Sequence, residues 1–216
     1  MTVPESRFPT WLVRIAEAVA IFLVIAVLGT GLRLLMEGGP RSAIPVPSPP
    51  AGRSVHLAPI GDFPLADAEA LVAHFGEKFG ISVGLLPAIP VPDDAFDPDR
   101  NQLIAERLVG AIGATYEAAD PGAVVIGLTN VDMYIAARDW RYAYSLRADD
   151  RFAVVSSARM DAYEADQAKQ MERLRKMVTK NIGVLFYGLP QSDDRRSVLY
   201  RDILGPLDLD RASEDF

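Results

Sequence analysis

Few side chains in this sequence are of a type that performs catalysis, and their spacing excludes the common catalytic centres. The histidines are His56 and His74 alone, and there is no cysteine. A zinc site built from three histidines, or from thiolates, is therefore impossible. His56 falls near the start of a predicted strand and His74 in a predicted helix, so we interpret both as ordinary structural histidines.

Hydroxyl, acidic and glycine motifs lead to the same conclusion. Ser156 and Ser157 lack the G-x-S-x-G setting of an exposed nucleophile, and we interpret them as strand residues. The sequence contains neither G-x-x-x-x-G-K-[ST] nor G-x-G-x-x-G, so nucleotide chemistry has no motif. Acidic residues near the C-terminus lack the EF-hand spacing, which favours a solvated acidic surface. They are Asp193, Asp194, Asp202, Asp208, Asp210, Glu214 and Asp215.

One segment, KNIGVLFYGLP at 180–190, has the form of a helix and its closing turn. It completes a long amphipathic helix that we predict over 162–186. Gly188 suits the left-handed conformation that ends many helices, and Pro190 prevents continuation. The apolar residues that recur at spacings of three and four are Ala168, Met171, Leu174, Val178, Ile182 and Leu185.

The elements before this helix alternate between strand and helix. Strand composition marks 54–60, 81–87 and 122–129, and helical periodicity marks 65–80 and 101–119. Such alternation produces right-handed crossovers between neighbouring strands. The fold class is therefore α/β, with a mixed, mostly parallel twisted sheet and packed helices.

An edge hairpin is predicted next in the chain. RDWRYAYSLR (138–147) alternates strictly, as a half-exposed strand does, and RFAVVSSARM (151–160) returns antiparallel to it. One face of the first strand would carry Trp140, Tyr142, Tyr144 and Leu146. The other would carry Arg141 and Arg147. The aromatic rings either pack into the core or anchor a bound peptide.

The N-terminal quarter differs in composition from the rest of the chain. Residues 11–36 are mostly apolar, and the uncharged run 18–32 covers about 22 Å as a helix. We predict an N-terminal tail (1–10), one transmembrane anchor (11–36) and a proline-rich linker (37–53), with a cleaved signal peptide or a buried helix as alternatives. The protein would be single-pass, with its soluble domain outside the cytoplasm.

The predicted soluble domain, 54–216, is acidic. Of the 22 basic and 29 acidic residues in the chain, five and three precede residue 54, which leaves 17 and 26 and a balance of −9. Nucleic acid and anionic membrane surfaces both require a basic face. The charge therefore argues against either as the partner of this domain.

Several motifs together resemble one protein family. LTNVDMY (128–134), AVVSSARM (153–160), NIGVLFYGLP (181–190) and RSVLY (196–200) are similar to segments of the archaemetzincin-like metallopeptidases, over roughly 55–209. The resemblance implies a metzincin-type fold and a zinc peptidase activity. It also implies that the long helix should carry the H-E-x-x-H-x-x-G-x-x-H motif that binds zinc and activates water.

That motif is empty in this sequence. If Lys180 takes the first ligand position, Asn181 replaces the glutamate, Val184 the second histidine and Pro190 the third, and Tyr187 replaces the glycine. If Gly188 is aligned with the motif's glycine instead, Asn181 takes the first ligand position and Ile182 that of the glutamate. Leu185 and Gln191 then take the remaining ligand positions. Leu199 falls where the family's methionine would pass beneath the metal. A lysine ammonium repels Zn²⁺ rather than binding it.

We therefore expect a membrane-anchored, catalytically inactive archaemetzincin-like domain without a cofactor. It would bind a protein or peptide, with Trp140, Arg141, Tyr142 and Tyr144 on the binding edge strand. One alternative is an active zinc metallopeptidase with an atypical metal site. The other is a structural subunit of a membrane protein complex.

Overall fold

The computed structural model describes residues 46–116, 118 and 120–216, which contain two β-sheets. Its strands are β1 (Val55–Pro59), β2 (Val83–Leu85), β3 (Phe96–Asp97), β4 (Gln102–Ile104), β5 (Val124–Thr129), β6 (Met133–Tyr134), β7 (Ser145–Ala148) and β8 (Phe152–Ser156). Its helices are α1 (Leu65–Phe79), α2 (Ala105–Tyr116), α3 (Gln167–Asn181) and α4 (Pro206–Arg211). The structure also has a 3₁₀ turn at Asp93–Ala95 and a π-helical turn at Ile182–Phe186.

The larger sheet has five strands in the order β2-β1-β5-β8-β7. Its pairs β1–β2, β1–β5 and β5–β8 are parallel, and β7 pairs antiparallel with β8 at the edge. This arrangement confirms the mixed, mostly parallel sheet predicted from the alternation of elements. A second sheet has three short strands in the order β3-β4-β6, and these strands come from the part of the chain between α1 and β7.

Helices cover both faces of the larger sheet, each with its own apolar cluster. Helices α1 and α3 pack on one face, where Phe75, Ile126 and Ile182 are buried. Helix α2 packs on the other face, where Ile112 contacts the strand at Gly127. A Cβ on Gly127 would lie 2.4 Å from the Ile112 side chain, so glycine is required for this close packing.

The start of the second predicted helix is wrong by several residues. Asn101, the first residue of the predicted helix, has a φ of 51°, and the chain then forms β4 before α2 begins at Ala105. Strand β4 pairs with β6, at Leu103 opposite Met133, and this long-range pairing overrides the local helical preference.

The predicted edge strand 138–147 is also shorter in the structure. Only its last residues form β7, and Trp140, Arg141, Tyr142 and Tyr144 lie in irregular chain. Tyr144 is buried while Trp140 is exposed, so the rings do not share one face. Side-chain hydrogen bonds to the backbone carbonyls of Trp140 and Arg141 hold this segment away from a regular strand.

The predicted membrane topology is contradicted. No helix within residues 46–116, 118 and 120–216 is long and apolar enough to cross a membrane: α1 has only 15 residues, and α3 is rich in charged side chains. The anchor predicted at 11–36 lies outside the described residues. The predicted limits of the linker and of the soluble domain stay predictions.

Candidate functional site

Helix α3 and its closing turn form one wall of the candidate site. The Asp166 carboxylate caps the helix by accepting from the Lys169 backbone N–H at 2.8 Å. The helix widens into the π-helical turn and ends at Gly188, whose φ is 66°. The Leu189 N–H then donates to the Gly183 carbonyl at 2.9 Å, which closes the turn as the sequence predicts.

Gly183 allows the C-terminus of the chain to support this turn. A Cβ at that position would lie 2.7 Å from the ring of Phe216 and 2.8 Å from the Leu199 side chain. Leu199, predicted at the position of the family's methionine, is fully buried beneath the helix. Val184 packs against the same apolar cluster, so apolar packing supports this end of the helix from below.

A cleft of about 680 Å³ lies along α3. Three segments line it: residues 135 and 138–147 from the edge of the sheet, Met177 and Lys180 from α3, and residues 191 and 201–204 from the chain after the π-helical turn. Tyr142 ties two of these walls together, because its hydroxyl donates to the Leu204 carbonyl at 2.8 Å. The cleft is large enough for a peptide side chain and its flanking backbone.

Lys180 lies at the base of this cleft with only 3% of its surface exposed. Its Nζ donates to the Tyr200 carbonyl and to the Arg201 carbonyl, the latter at 3.2 Å. Burial, together with nearby Arg147, lowers the pKa of Lys180 to about 8, and Asp202 opposes this shift. The ammonium is therefore the major form at neutral pH, although it is held in a partly desolvated place.

Asn181 connects the helix to the edge strand. Its Nδ2 donates to the Met177 carbonyl at 2.8 Å and to the Ser145 hydroxyl at 3.0 Å. Its Oδ1 accepts from the Arg147 guanidinium at 3.3 Å. With both ends of the amide engaged, Asn181 fixes Arg147 against the wall of the cleft, and burial lowers the pKa of that guanidinium.

The mouth of the cleft is aromatic and exposed. Trp140 has 43% of its surface exposed, and the Arg138 guanidinium lies 5.7 Å from the centre of its ring. Tyr142 and Tyr144 meet edge to face at 5.4 Å between ring centres. Burial raises the pKa of Tyr144, which stays protonated. Of the predicted binding residues, Trp140, Arg141 and Tyr142 border the opening, while Tyr144 belongs to the core as well.

The residues that the two sequence alignments assign to the metal site lie apart in the structure. Ile182 and Leu185 are buried in the main core, and Tyr187 meets the rings of Phe79 and Phe216 edge to face, away from the cleft. Gln191 lines the cleft beside Lys180, whereas Pro190 is exposed. Neither register brings its full set of residues to one point.

Both histidines lie outside the cleft. His56, on β1, accompanies Ser54 and Asp120: the Ser54 hydroxyl lies 3.0 Å from both its Nε2 and the Asp120 carboxylate. Because the serine sits between the other two, this is not the order of a catalytic triad. His74, on α1, lies 2.8 Å from Glu214. Burial lowers the pKa of His74 despite that partner.

Sequence reasoning missed the third wall of the cleft. Arg201 and Asp202 reach it through a loop that has no periodic signal, and the hydrogen bond between Ser145 and Asn181 joins residues 36 positions apart. Arg147 was expected on an exposed face and instead lines the cleft, half buried. The local sequence feature that indicated a cationic site was Lys180 at a motif position.

Similarity to known proteins is confined to structure. No protein-family model and no curated protein matches the chain. An archaemetzincin from Methanopyrus kandleri superposes with a TM-score of 0.63 and 24% identity, covering 79% of this chain and 92% of that one. A zinc-dependent peptidase from Methanocorpusculum labreanum has a TM-score of 0.63 and 19% identity, over 76% and 95%. An archaemetzincin from Archaeoglobus fulgidus, complexed with malonate, has a TM-score of 0.62 and 21% identity, covering 76% of this chain and 94% of that one.

This protein has the archaemetzincin fold. The comparison confirms the fold that the resemblance of the sequence motifs implied. The long helix on which that resemblance places the zinc ligands is α3 with its closing turn.

The side chains on α3 do not fit zinc. Lys180 offers an ammonium already donating to two carbonyls, Asn181 an amide bonded at both ends, and Val184 an apolar side chain packed below the helix. Zinc in proteins takes thiolate, imidazole or carboxylate ligands. Within the part of the chain that the structure describes, no group of three such side chains is placed to hold a metal ion.

Proposed function

We propose that this archaemetzincin-fold domain binds an extended segment of another protein in its cleft and does not hydrolyse it. The observation that carries the proposal is the state of Lys180 and Asn181. Asn181 is a motif position in both sequence alignments and Lys180 in the first of them, and the polar atoms of both side chains form hydrogen bonds inside the protein. The domain has the fold of a peptidase, but the side chains at these positions offer no ligand for zinc.

Strand β7 supplies a surface for peptide backbone. Ser156 N–H donates to the Tyr144 carbonyl at 2.9 Å, and Ser145 is opposite Val155 in the antiparallel register. Because hydrogen-bonded and non-bonded pairs alternate along such a ladder, the backbone groups of Ser145 and Arg147 point away from β8. In the described part of the chain, β7 has no strand partner on that side. An extended peptide can pair there by strand addition.

Hydrolysis by the zinc peptidase mechanism lacks the carboxylate that activates water. General-base catalysis requires a side chain that takes up a proton near neutral pH, and the amide of Asn181 does not. Asp139 and Asp202 are the carboxylates that line the cleft, and both are exposed. Neither is held by α3, where the resemblance places the catalytic glutamate. Binding without cleavage is the function that this arrangement favours.

Backbone N-methylation of a bound peptide tests the proposal on the unmodified protein. A peptide selected for binding to the full chain would be methylated on alternate residues, in the two possible registers. Methyl groups that face β7 remove two hydrogen bonds and should weaken binding about tenfold, while the other register should bind normally. Equal binding in both registers would refute strand addition.

Catalysis is tested with the same peptide. Metal content would be measured after purification, and the peptide would be followed by mass spectrometry during long incubation with added Zn²⁺. We expect the peptide to remain intact and the purified protein to hold no stoichiometric zinc. Cleavage that a chelator abolishes would overturn the proposal and restore a peptidase.

A further inference from the structure

The charges that line the cleft differ in sign from the rest of the domain. The domain balance is −9. Within the cleft, however, basic side chains outnumber acidic ones by five to two. The basic residues are Arg138, Arg141, Arg147, Lys180 and Arg201. The acidic residues are Asp139 and Asp202. A cleft that concentrates one sign of charge against an opposite background attracts ligands of the opposite sign.

The two innermost cations of the cleft, Lys180 and Arg147, are in direct contact with no carboxylate, although Asp202 lies near enough to Lys180 to raise its pKa. None of the ion pairs in the described part of the chain includes either residue. Elsewhere this domain neutralises its buried cations: Arg173 contacts Asp210 at 2.8 Å and Lys176 contacts Glu172 at 2.5 Å. Lys180 and Arg147 repel each other in the free protein, a situation that an anion between them would relieve.

Donor capacity remains on both side chains. A lysine ammonium has three N–H donors, and Lys180 uses two of them on the carbonyls of Tyr200 and Arg201. A guanidinium has five, and Arg147 uses one of them on Asn181. The other guanidinium N–H groups belong to a side chain that lines the cleft. A carboxylate placed there would receive charge-assisted hydrogen bonds from two residues.

We propose that Arg147 and Lys180 bind a carboxylate of the peptide that pairs with β7. This inference rests on the proposed function and names the chemistry of its ligand. The carboxylate belongs either to an aspartate or glutamate side chain or to the C-terminus of the peptide. The position fits a peptide because the Arg147 side chain contacts Asn181 in the cleft while its backbone groups point to the open edge of β7.

A polyanion is a poorer match for the same cleft. Nucleic acid contacts require a broad basic surface, and the domain around this cleft is acidic. Two of the five cations are also partly committed: Arg201 pairs with Asp193 at 2.7 Å, and Arg138 lies over Trp140. Arg141 is exposed, so Lys180 and Arg147 are the buried and half-buried cations left, and a single carboxylate matches these two.

The test varies the peptide and leaves the protein unchanged. Peptides of one extended sequence would be titrated into the full chain by calorimetry, with an internal glutamate, its glutamine counterpart, a free C-terminus or an amidated C-terminus. Removing the recognised carboxylate should weaken binding about 10- to 100-fold, the usual effect of losing a charge-assisted hydrogen-bonded pair. A loss of affinity on replacing glutamate by glutamine would show that the side-chain carboxylate is recognised. A loss on amidation would show that the C-terminal carboxylate is recognised.

Variants of the protein locate the effect. Arg147→Gln and Lys180→Met should each remove the preference for the carboxylate while the carboxamide peptide binds as before. Arg107→Gln is the matched control, because it removes the same charge from an exposed pair with Asp94 outside the cleft. This control should retain the full preference, and circular dichroism would show that each variant is folded.

The outcomes separate this inference from the proposed function. Equal affinity for carboxylate and carboxamide peptides in the wild-type protein would overturn the carboxylate site and leave strand addition intact. Binding of inorganic phosphate or single-stranded nucleic acid, with no binding of any peptide, would overturn both. A preference that survives Arg147→Gln and Lys180→Met would assign the carboxylate to another residue and also refute the inference.

Discussion

The two ends of helix α3 treat buried cations in opposite ways. In the part of α3 that precedes Met177, Arg173 is 2% exposed and lies against Asp210, and Lys176 is 4% exposed and lies against Glu172. Near its end, Lys180 is equally buried at 3% but contacts only backbone carbonyls. The first arrangement is what stability requires of a buried charge, since an unpaired one is costly. The second leaves an ammonium available to a ligand.

Removal of Arg173 should have the largest effect on stability. Arg173→Met would break two contacts with the Asp210 carboxylate and two bonds to the carbonyls of Met160 and Ala162. Because it would leave a partly buried carboxylate without its main partner, we expect a loss of about 3–5 kcal/mol in the free energy of unfolding. Urea denaturation of the full chain measures this loss.

Arg175→Met is the matched control for this change. Arg175 lies on the same helix and pairs with Glu214 at 3.0 Å, but 28% of its side chain is exposed. It should cost no more than about 1 kcal/mol. Equal losses for the two variants would show that burial at the start of α3 does not decide the energetics.

The sequence predicted these elements better than it predicted the cleft between them. Periodicity placed β1, α1, β5 and α3 within a few residues, because each buries a regular apolar face. Alternation failed at 138–144, where Arg100 donates to the carbonyls of Trp140 and Arg141 at 2.8 and 3.0 Å. A contact across 40 residues of chain has no local signature. The third wall of the cleft escaped prediction for the same reason.

Alkaline pH should act on the two ends of α3 differently. The pKa of Lys180 falls from 10.5 to about 8 on folding, so between these values the unfolded chain binds more protons at this residue. The sign follows from linkage: stability rises with pH where the unfolded state holds more protons. Lys180 should therefore add about 2 kcal/mol to stability between pH 8 and pH 10.

This contribution is isolated by comparison with Lys180→Met, because other groups titrate in both proteins. The difference in free energy of unfolding between wild type and variant should widen as pH rises from 8 to 10. The corresponding difference for Arg173→Met should stay flat, since contact with Asp210 raises the pKa of Arg173. A constant difference for Lys180→Met would place its pKa outside this window.

At pH 7 the same substitution should have a smaller effect. Lys180→Met removes a desolvated charge, which favours folding, and two hydrogen bonds to backbone carbonyls, which opposes it. The carbonyls belong to the half-buried Tyr200 and the exposed Arg201, where water can replace the lost donor. We expect a net loss of about 1 kcal/mol, several-fold less than for Arg173→Met. Thermal or urea unfolding at pH 7 makes the comparison directly.

Exposed cations of the cleft should contribute least to folding. Arg201 pairs with Asp193 at 2.7 Å, but 52% and 82% of the two side chains are exposed, so solvent screens the pair. Arg201→Gln should change the free energy of unfolding by less than about 0.5 kcal/mol. The same variant should weaken binding of a carboxylate peptide less than Arg147→Gln does, because Arg201 already has an acidic partner. A loss of stability comparable to that of Lys180→Met would mean that the rim of the cleft, and not its base, holds the loop at 201–204 in place.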